Sequence, residues 1–142
     1  MSAWHTAGVV SRLRTTPIPV GDARKPAGAG WQGSPGGSQF VTYLVVYPIG
    51  SQRDGPDASL ADNADAPVNR FQVNAVGRDR TSVETAADLA AAVLLNRQRF
   101  DIPDWDTVTM KHENSVGVTV DETVSPPVFI AIDRYRLDTS PS

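Results

Sequence analysis

Phe40-Val-Thr-Tyr-Leu-Val-Val-Tyr47 is the stretch on which the fold turns. It is β-branched and aromatic, with hardly a polar interruption, and so predicts a central strand covered on both faces. Pro48, which lacks an amide hydrogen, is expected to stop that strand. A long loop over residues 49–68 is expected next. It contains Gly50, Gly55-Pro56 and Pro67, and Arg53-Asp54-Gly55-Pro56 carries a turn signal. Arg70-Phe-Gln-Val-Asn-Ala-Val-Gly77 then alternates, with Phe71, Val73 and Ala75 on one side and Gln72 and Asn74 on the other. That period predicts a half-buried strand.

Further along, residues 81–96 predict the main helix. Thr81 and Glu84 form an S/T-x-x-E capping box, which would satisfy free amides at the helix start. Val83, Ala87, Ala90 and Leu94, flanked by Ala86 and Val93, make one apolar stripe whose alanines allow close approach to a sheet. The remainder reads as strands. Residues 107–113 and 116–120 are expected to form a hairpin around Asn114-Ser115. Pro126-Pro127 break the chain before a last strand over residues 128–137, and residues 138–142 are expected to be a flexible, frayed tail.

On the N-terminal side, residues 2–14 predict a short helix, with Ser2 as N-cap and Trp4, Val9 and Leu13 near helical spacing. Pro17 and Pro19 end it. Residues 16–39 then crowd four prolines and six glycines into a stretch that no helix or central strand tolerates. Trp31 lies in its middle, and two readings stay open: an anchor on a neighbouring subunit, or a side chain folded back on its own domain. The order of elements argues for an α+β fold. The expected architecture is a single domain over residues 1–142, with an antiparallel or mixed sheet packed by one main helix and a short N-terminal helix. Two long Gly/Pro-rich loops, 16–39 and 49–68, are expected to serve as inter-subunit arms.

The chain has 142 residues, a formal net charge of −3 and no cysteine. Disulfide scaffolds, cysteine-ligated zinc and cysteine nucleophiles are thereby excluded, and a uniformly basic nucleic-acid-binding surface is disfavoured. No apolar run approaches the ~20 residues of a membrane helix, and Met1-Ser-Ala-Trp-His5 has no signal-peptide pattern. Charge is segregated. Arg12, Arg14, Arg24 and Lys25 face only Asp22 in residues 1–40. Arg53 faces Asp54, Asp57, Asp62 and Asp65 in residues 50–68. Residues 70–99 are again basic, and residues 100–125 set Lys111 alone against six acids. Such blocks can pair across subunits; solvated loops are the plainer explanation.

Catalytic groups are sparse. His5 lies near the terminus, where fraying is expected, and His112-Glu113 sits at the expected hairpin. No serine occupies a G-x-S-x-G elbow. Asp101, Asp104 and Asp106 would suit a hard cation but lack the glycine and terminal glutamate of an EF-hand loop. Gly28-Ala-Gly30-Trp-Gln-Gly33 spells a dinucleotide fingerprint without the strand before it or the helix after it. Gly77-Arg78-Asp79-Arg80-Thr81 opens the main helix, where arginines can hold anions or pair with carboxylates of another chain.

Taken together, Tyr43-Leu-Val-Val-Tyr-Pro48, Asp54-Gly55-Pro56, Phe71-Gln-Val-Asn-Ala-Val-Gly-Arg78, and a helix carrying Glu84, Ala87, Asp88 and Ala92-Val-Leu-Leu95 resemble the tail terminator proteins of long, non-contractile-tailed bacteriophages. The likeness spans residues 40–137 by element order and 43–95 by local pattern; the Gly-rich arm 21–39 is longer than the pattern needs. The resemblance implies a non-enzymatic structural virion protein without cofactor, metal or catalytic residues. It implies a homohexameric ring at the head-proximal end of the tail, assembled in the host cytoplasm, which ends tube polymerisation. Its implied partners are other copies of itself, the tail tube protein and a neck connector protein. DNA would pass through the lumen without specific binding, and no membrane is involved. A closed ring needs two different patches per subunit. The segregated charge offers candidates for them in Trp31, Arg24, Lys25, Arg53, Asp54, Arg78, Asp79 and Arg80. Two alternatives stand beside this one: another neck component such as a head–tail stopper, and a small ligand-binding or hydrolytic domain using His112, Glu113 and the Asp101–Asp106 cluster.

Overall fold

The computed structural model describes residues 3–52, 68–107 and 109–141. Its first element is helix α1 (Ala3–Leu13), which buries His5, Thr6, Val9, Val10 and Leu13. Trp4, expected on that stripe, is 61% exposed instead: its position falls on the opposite side of the helix from Val9 and Leu13. The proposed Ser2 cap lies outside the described residues.

Three short strands follow, β1 (Val20–Asp22), β2 (Gly30–Trp31) and β3 (Phe40–Val41). Residues 16–39 are therefore not the structureless stretch their composition predicts. β1 lies parallel to strand β4 (Tyr43–Gln52), with Val20 opposite Leu44, and β2 pairs with β3. Both fragments sit at sheet margins, where prolines lose no ladder bond. A side chain on Gly21 would collide with the Arg24 carbonyl oxygen, so the tight bend after β1 requires glycine there.

Strand β4 runs past Pro48 to Gln52, contrary to the expected stop. The ladder to strand β5 (Val68–Gly77) absorbs the proline by a register shift between Pro48 and Ser51. Residues 49–52 and 68 of the expected 49–68 loop are thus strand, and residues 53–67, with Arg53 and Asp54 among them, lie outside the described residues. β5 has Phe71, Val73 and Ala75 buried, with Gln72 and Asn74 less so, as its alternation requires.

Helix α2 (Arg80–Leu94) buries Val83, Ala86, Ala90 and Leu94. Its cap is not Thr81. Asp79 holds the extended N-cap conformation, and its carboxylate accepts the Ser82 amide at 2.7 Å, which leaves Glu84 to approach Arg80 at 3.6 Å. After α2 come β6 (Trp105–Thr107), β7 (Lys111–Asp121) and β8 (Val128–Pro141).

Two further expectations fail here. Asn114-Ser115 is not a hairpin turn; β7 passes straight through it, pairing with β8 from Lys111 to Asp121 with bulges at His112/Asn114 and Val116/Thr119. Asn-Ser lacks the glycine a two-residue turn needs, and the real reversal lies between Asp121 and Val128. Nor is the C-terminal segment frayed. Thr107, Asp106 and Trp105 pair with Thr139, Ser140 and Pro141, and Thr139 is buried.

Six of the described strands form one mixed sheet in the order β1-β4-β5-β8-β6, with β7 also on β8, while β2 and β3 form a separate two-stranded sheet. Register puts Leu44 beside Ala75 and Val46 beside Val73; Ala131 pairs with Ala75 and Tyr135 with Phe71. These residues form one core with Val9, Leu13, Val83, Ala90 and Leu94 from the helices. α1 and α2 therefore cover one face of the sheet, the α+β arrangement expected. Among the described residues, no helix is placed on the second face.

Candidate functional site

Strand alternation assigns the second face to Tyr43, Val45 and Tyr47 of β4, Asn74 and Val76 of β5, and Val128 and Ile130 of β8. Two rims rise from it. One is the Gly-rich arm, which brings Trp31 and Pro35; the other is the β7–β8 turn, with Val124 and Pro126. Between them lies an apolar trough of about 740 Å³. Lys25 and Asp121 are its charged lining residues.

Aromatic contacts hold the first rim. The Trp31 ring meets Phe40 edge-on at 5.3 Å, Phe40 stacks on Tyr43 at 6.2 Å, and the Arg78 guanidinium sits 5.3 Å from the Trp31 ring. In this chain Trp31 therefore packs on its own domain, half-buried beside the trough. Gly30, with φ of +76°, turns the backbone so that this can happen, and its neighbour is the Lys25 side chain. Arg24 is exposed at the bend after β1. Burial, with a smaller contribution from Tyr47, pushes the Tyr43 hydroxyl above the usual tyrosine range. The structure thus brings Trp31, Lys25 and Arg78 together around one rim, with Asp79 and Arg80 following at the start of α2. The hydrogen bonds from Ser82, backbone first, hold the Asp79 carboxyl below the usual carboxylate range.

Beyond the trough, the same face becomes basic. Arg70 lies opposite Arg136 and Gln72 opposite Arg134. Arg70 binds Glu113 at 3.0 Å, Arg136 binds Asp138 at 2.7 Å, and Arg134 donates to Gln72 at 3.3 Å. On the helix-covered side one groove is acidic instead. A smaller groove of about 250 Å³ between α2 and β7 is lined by Glu84, Asp88, His112, Val116 and Asp133.

The residues considered for catalysis do not form one constellation. His112 is bonded to Asp133 at 3.0 Å and lies edge-on to Tyr135, a position set by the β7–β8 ladder. Asp101 and Asp104 stay exposed on the approach to β6 and Asp106 within it, by the far end of β8. Among the described residues, no group of three His, Asp or Glu side chains is placed to hold a metal ion. Gly28, Gly30 and Gly33 shape the arm around β2, with no helix following them. His5 is fully buried rather than frayed: its Nε2 lies 3.2 Å from the Thr139 hydroxyl, its ring is edge-on to Trp105 at 4.9 Å, and Asn69 donates to the same hydroxyl at 2.9 Å. Burial, and next the N-terminal ammonium, push the His5 pKa down. This cluster joins the two ends of the described chain and is structural. No helix among the described residues is long and apolar enough to cross a membrane.

Tyr43, Tyr47 and Ile130 were not legible as site residues in the sequence. The period-two spacing of Tyr43, Val45 and Tyr47 does put them on one side of a strand, but only the placement of both described helices on the other side leaves the two tyrosines partly accessible.

No protein-family model matches the chain, and no curated protein matches it. Among solved structures, a chain of the virion of a native gene transfer agent particle superposes with a TM-score of 0.64. The match covers 95% of this chain and 93% of that one, at 12% identity. A second solved chain, 14% identical over 99% of this chain and 93% of its own, reaches a TM-score of 0.47, too loose to define a common fold. What the chain shares with the component of the gene transfer agent virion is therefore its fold, over nearly the whole length of both.

Proposed function

We propose that this chain is a structural virion protein that acts as a tail terminator. In this reading it forms a collar of identical subunits at the head-proximal end of a phage-type tail tube, ends tube polymerisation and joins the tail to the neck. The observation that carries the reading is the near full-length fold match to a chain of a virion particle. The sequence patterns over residues 43–95 narrow it to the terminator. The surface supports a role by shape: an apolar trough with a basic margin on one side, and an acidic groove on the other. Two unlike patches are what a heterologous, ring-closing contact requires. Six copies, the tube and neck proteins as neighbours, and non-enzymatic action belong to the same proposal.

The test is light scattering coupled to size exclusion, on the chain alone and with tail tube protein. A terminator gives a discrete ring, alone or on the tube end, and tubes that stop lengthening once it is added. A monomer under both conditions, with tubes that grow on regardless, contradicts the reading. A ring that binds the neck side and leaves tube growth unaffected identifies a head–tail stopper instead.

A further inference from the structure

The two sheet faces are covered unequally. One is closed by α1 and α2, and the other, among the described residues, is roofed only at one end by the arm and the β7–β8 turn. β4, β5, β8 and β7 together offer a surface of about 600 Å² in projection, at ~4.8 Å between strands and ~3.3 Å per residue. With the two rims added, this is on the order of the ~800 Å² that each partner contributes to a stable interface. The face is apolar at the trough and basic beyond it, where Arg134 is exposed beside Arg70 and Arg136. A complement with both properties exists on this same chain. The outward side of α2 and its groove with β7 combine Glu84, Asp88 and Asp133 with Leu95, which is 37% exposed, and the half-buried Val118.

We propose that the open sheet face of one copy docks on the acidic α2–β7 surface of a second copy. The trough takes apolar surface from the neighbour, and the exposed Arg134 at its basic margin meets Asp88, which lies one turn from Glu84 on α2. The contact is heterologous: each copy uses its sheet face toward one neighbour and its helix side toward the other, so copies add head to tail. This deepens the collar reading and rests on it for the presence of a second copy.

The natural chain has no cysteine, so introduced thiols report alone. Ile132→Cys marks the sheet face and Thr85→Cys the exposed side of α2. Each is treated with a short bismaleimide, singly and combined in one chain. The double variant is expected to give a ladder of covalent dimers, trimers and higher species, and each single variant a monomer. Mixing the two single variants is expected to give dimers containing one of each. Asn74→Cys, opposite Ile132 on the same face, replaces Ile132→Cys should the latter fold poorly. Dimers from Ile132→Cys alone mean sheet meets sheet and overturn the proposal, as does a double variant that stays monomeric. The collar reading is scored separately: rings that cap tubes without cross-linking refute this interface and leave the collar intact. Cross-linked ladders from a protein that never caps tubes do the reverse.

Discussion

At the scale of single residues, His5 and Asp79 show how one contact decides a local outcome. His5 is buried with a pKa held below its ordinary 6.5 by desolvation. The unfolded chain therefore takes up the proton first, and stability rises with pH across the interval below 6.5. It is fully present above that value and is lost as pH falls below it. Melting temperature is expected to drop between pH 7.5 and 5.5, and a His5→Gln variant, already less stable at neutral pH, is expected to show a flatter profile over the same window. A second prediction separates the observed cap from the one the sequence suggests. Asp79→Ala removes the acceptor for the Ser82 amide and should cost about 1 kcal/mol, while Thr81→Ala should cost a few tenths at most. Urea denaturation of the pair checks this; equal losses would restore the Thr81 cap. Both residues were misread for a physical reason. Asp and Thr are each good caps, and two residues separate their registers. His5 is polar and close to the terminus, and its burial depends on Thr139, a residue 134 positions away.

At the scale of elements, local pattern and long-range pairing divide the outcome. α2, β5 and the core of β4 were legible, because Val83, Ala90 and Leu94 recur at helical spacing and Phe71, Val73 and Ala75 at a period of two. Phe71 fills the centre of that core, and Phe71→Ala should cost about 3–5 kcal/mol. The ends of elements were not legible. Pro48 and Asn114-Ser115 carry strong breaking signals, yet the neighbouring strands hold β4 and β7 in register through them by local bulges. Residues 138–141 look like a tail and are a strand because β6 pairs with them. Deleting residues 138–142 is therefore expected to destabilise the fold by about 2–4 kcal/mol, since it removes Thr139 from His5 and Asn69 and uncovers β6. A truncation that melts like the full chain would show that this pairing contributes nothing.

At the scale of the whole molecule, the asymmetry of the sheet is the organising feature. Both described helices pack on one side, so the continuous apolar run of β4, which predicts cover on both faces, has its second face only partly covered by Trp31 and the arm. The sequence could not reveal this, because which face a helix takes is a property of the assembled sheet. Arg78 and Trp31 were marked as candidates separately; their stacking across the arm depends on β2 pairing with β3. Trp31→Ala removes that rim and should weaken self-association several-fold while leaving the core, and hence the melting temperature, nearly unchanged, as sedimentation velocity would show. In the proposed function the protein assembles into a collar that ends a tube. Electron microscopy of tail tubes polymerised with and without the chain tests it most directly. Tubes of limited length, each bearing one ring at a single end, are expected when the chain is present. Tubes of unrestricted length with bare ends would contradict it.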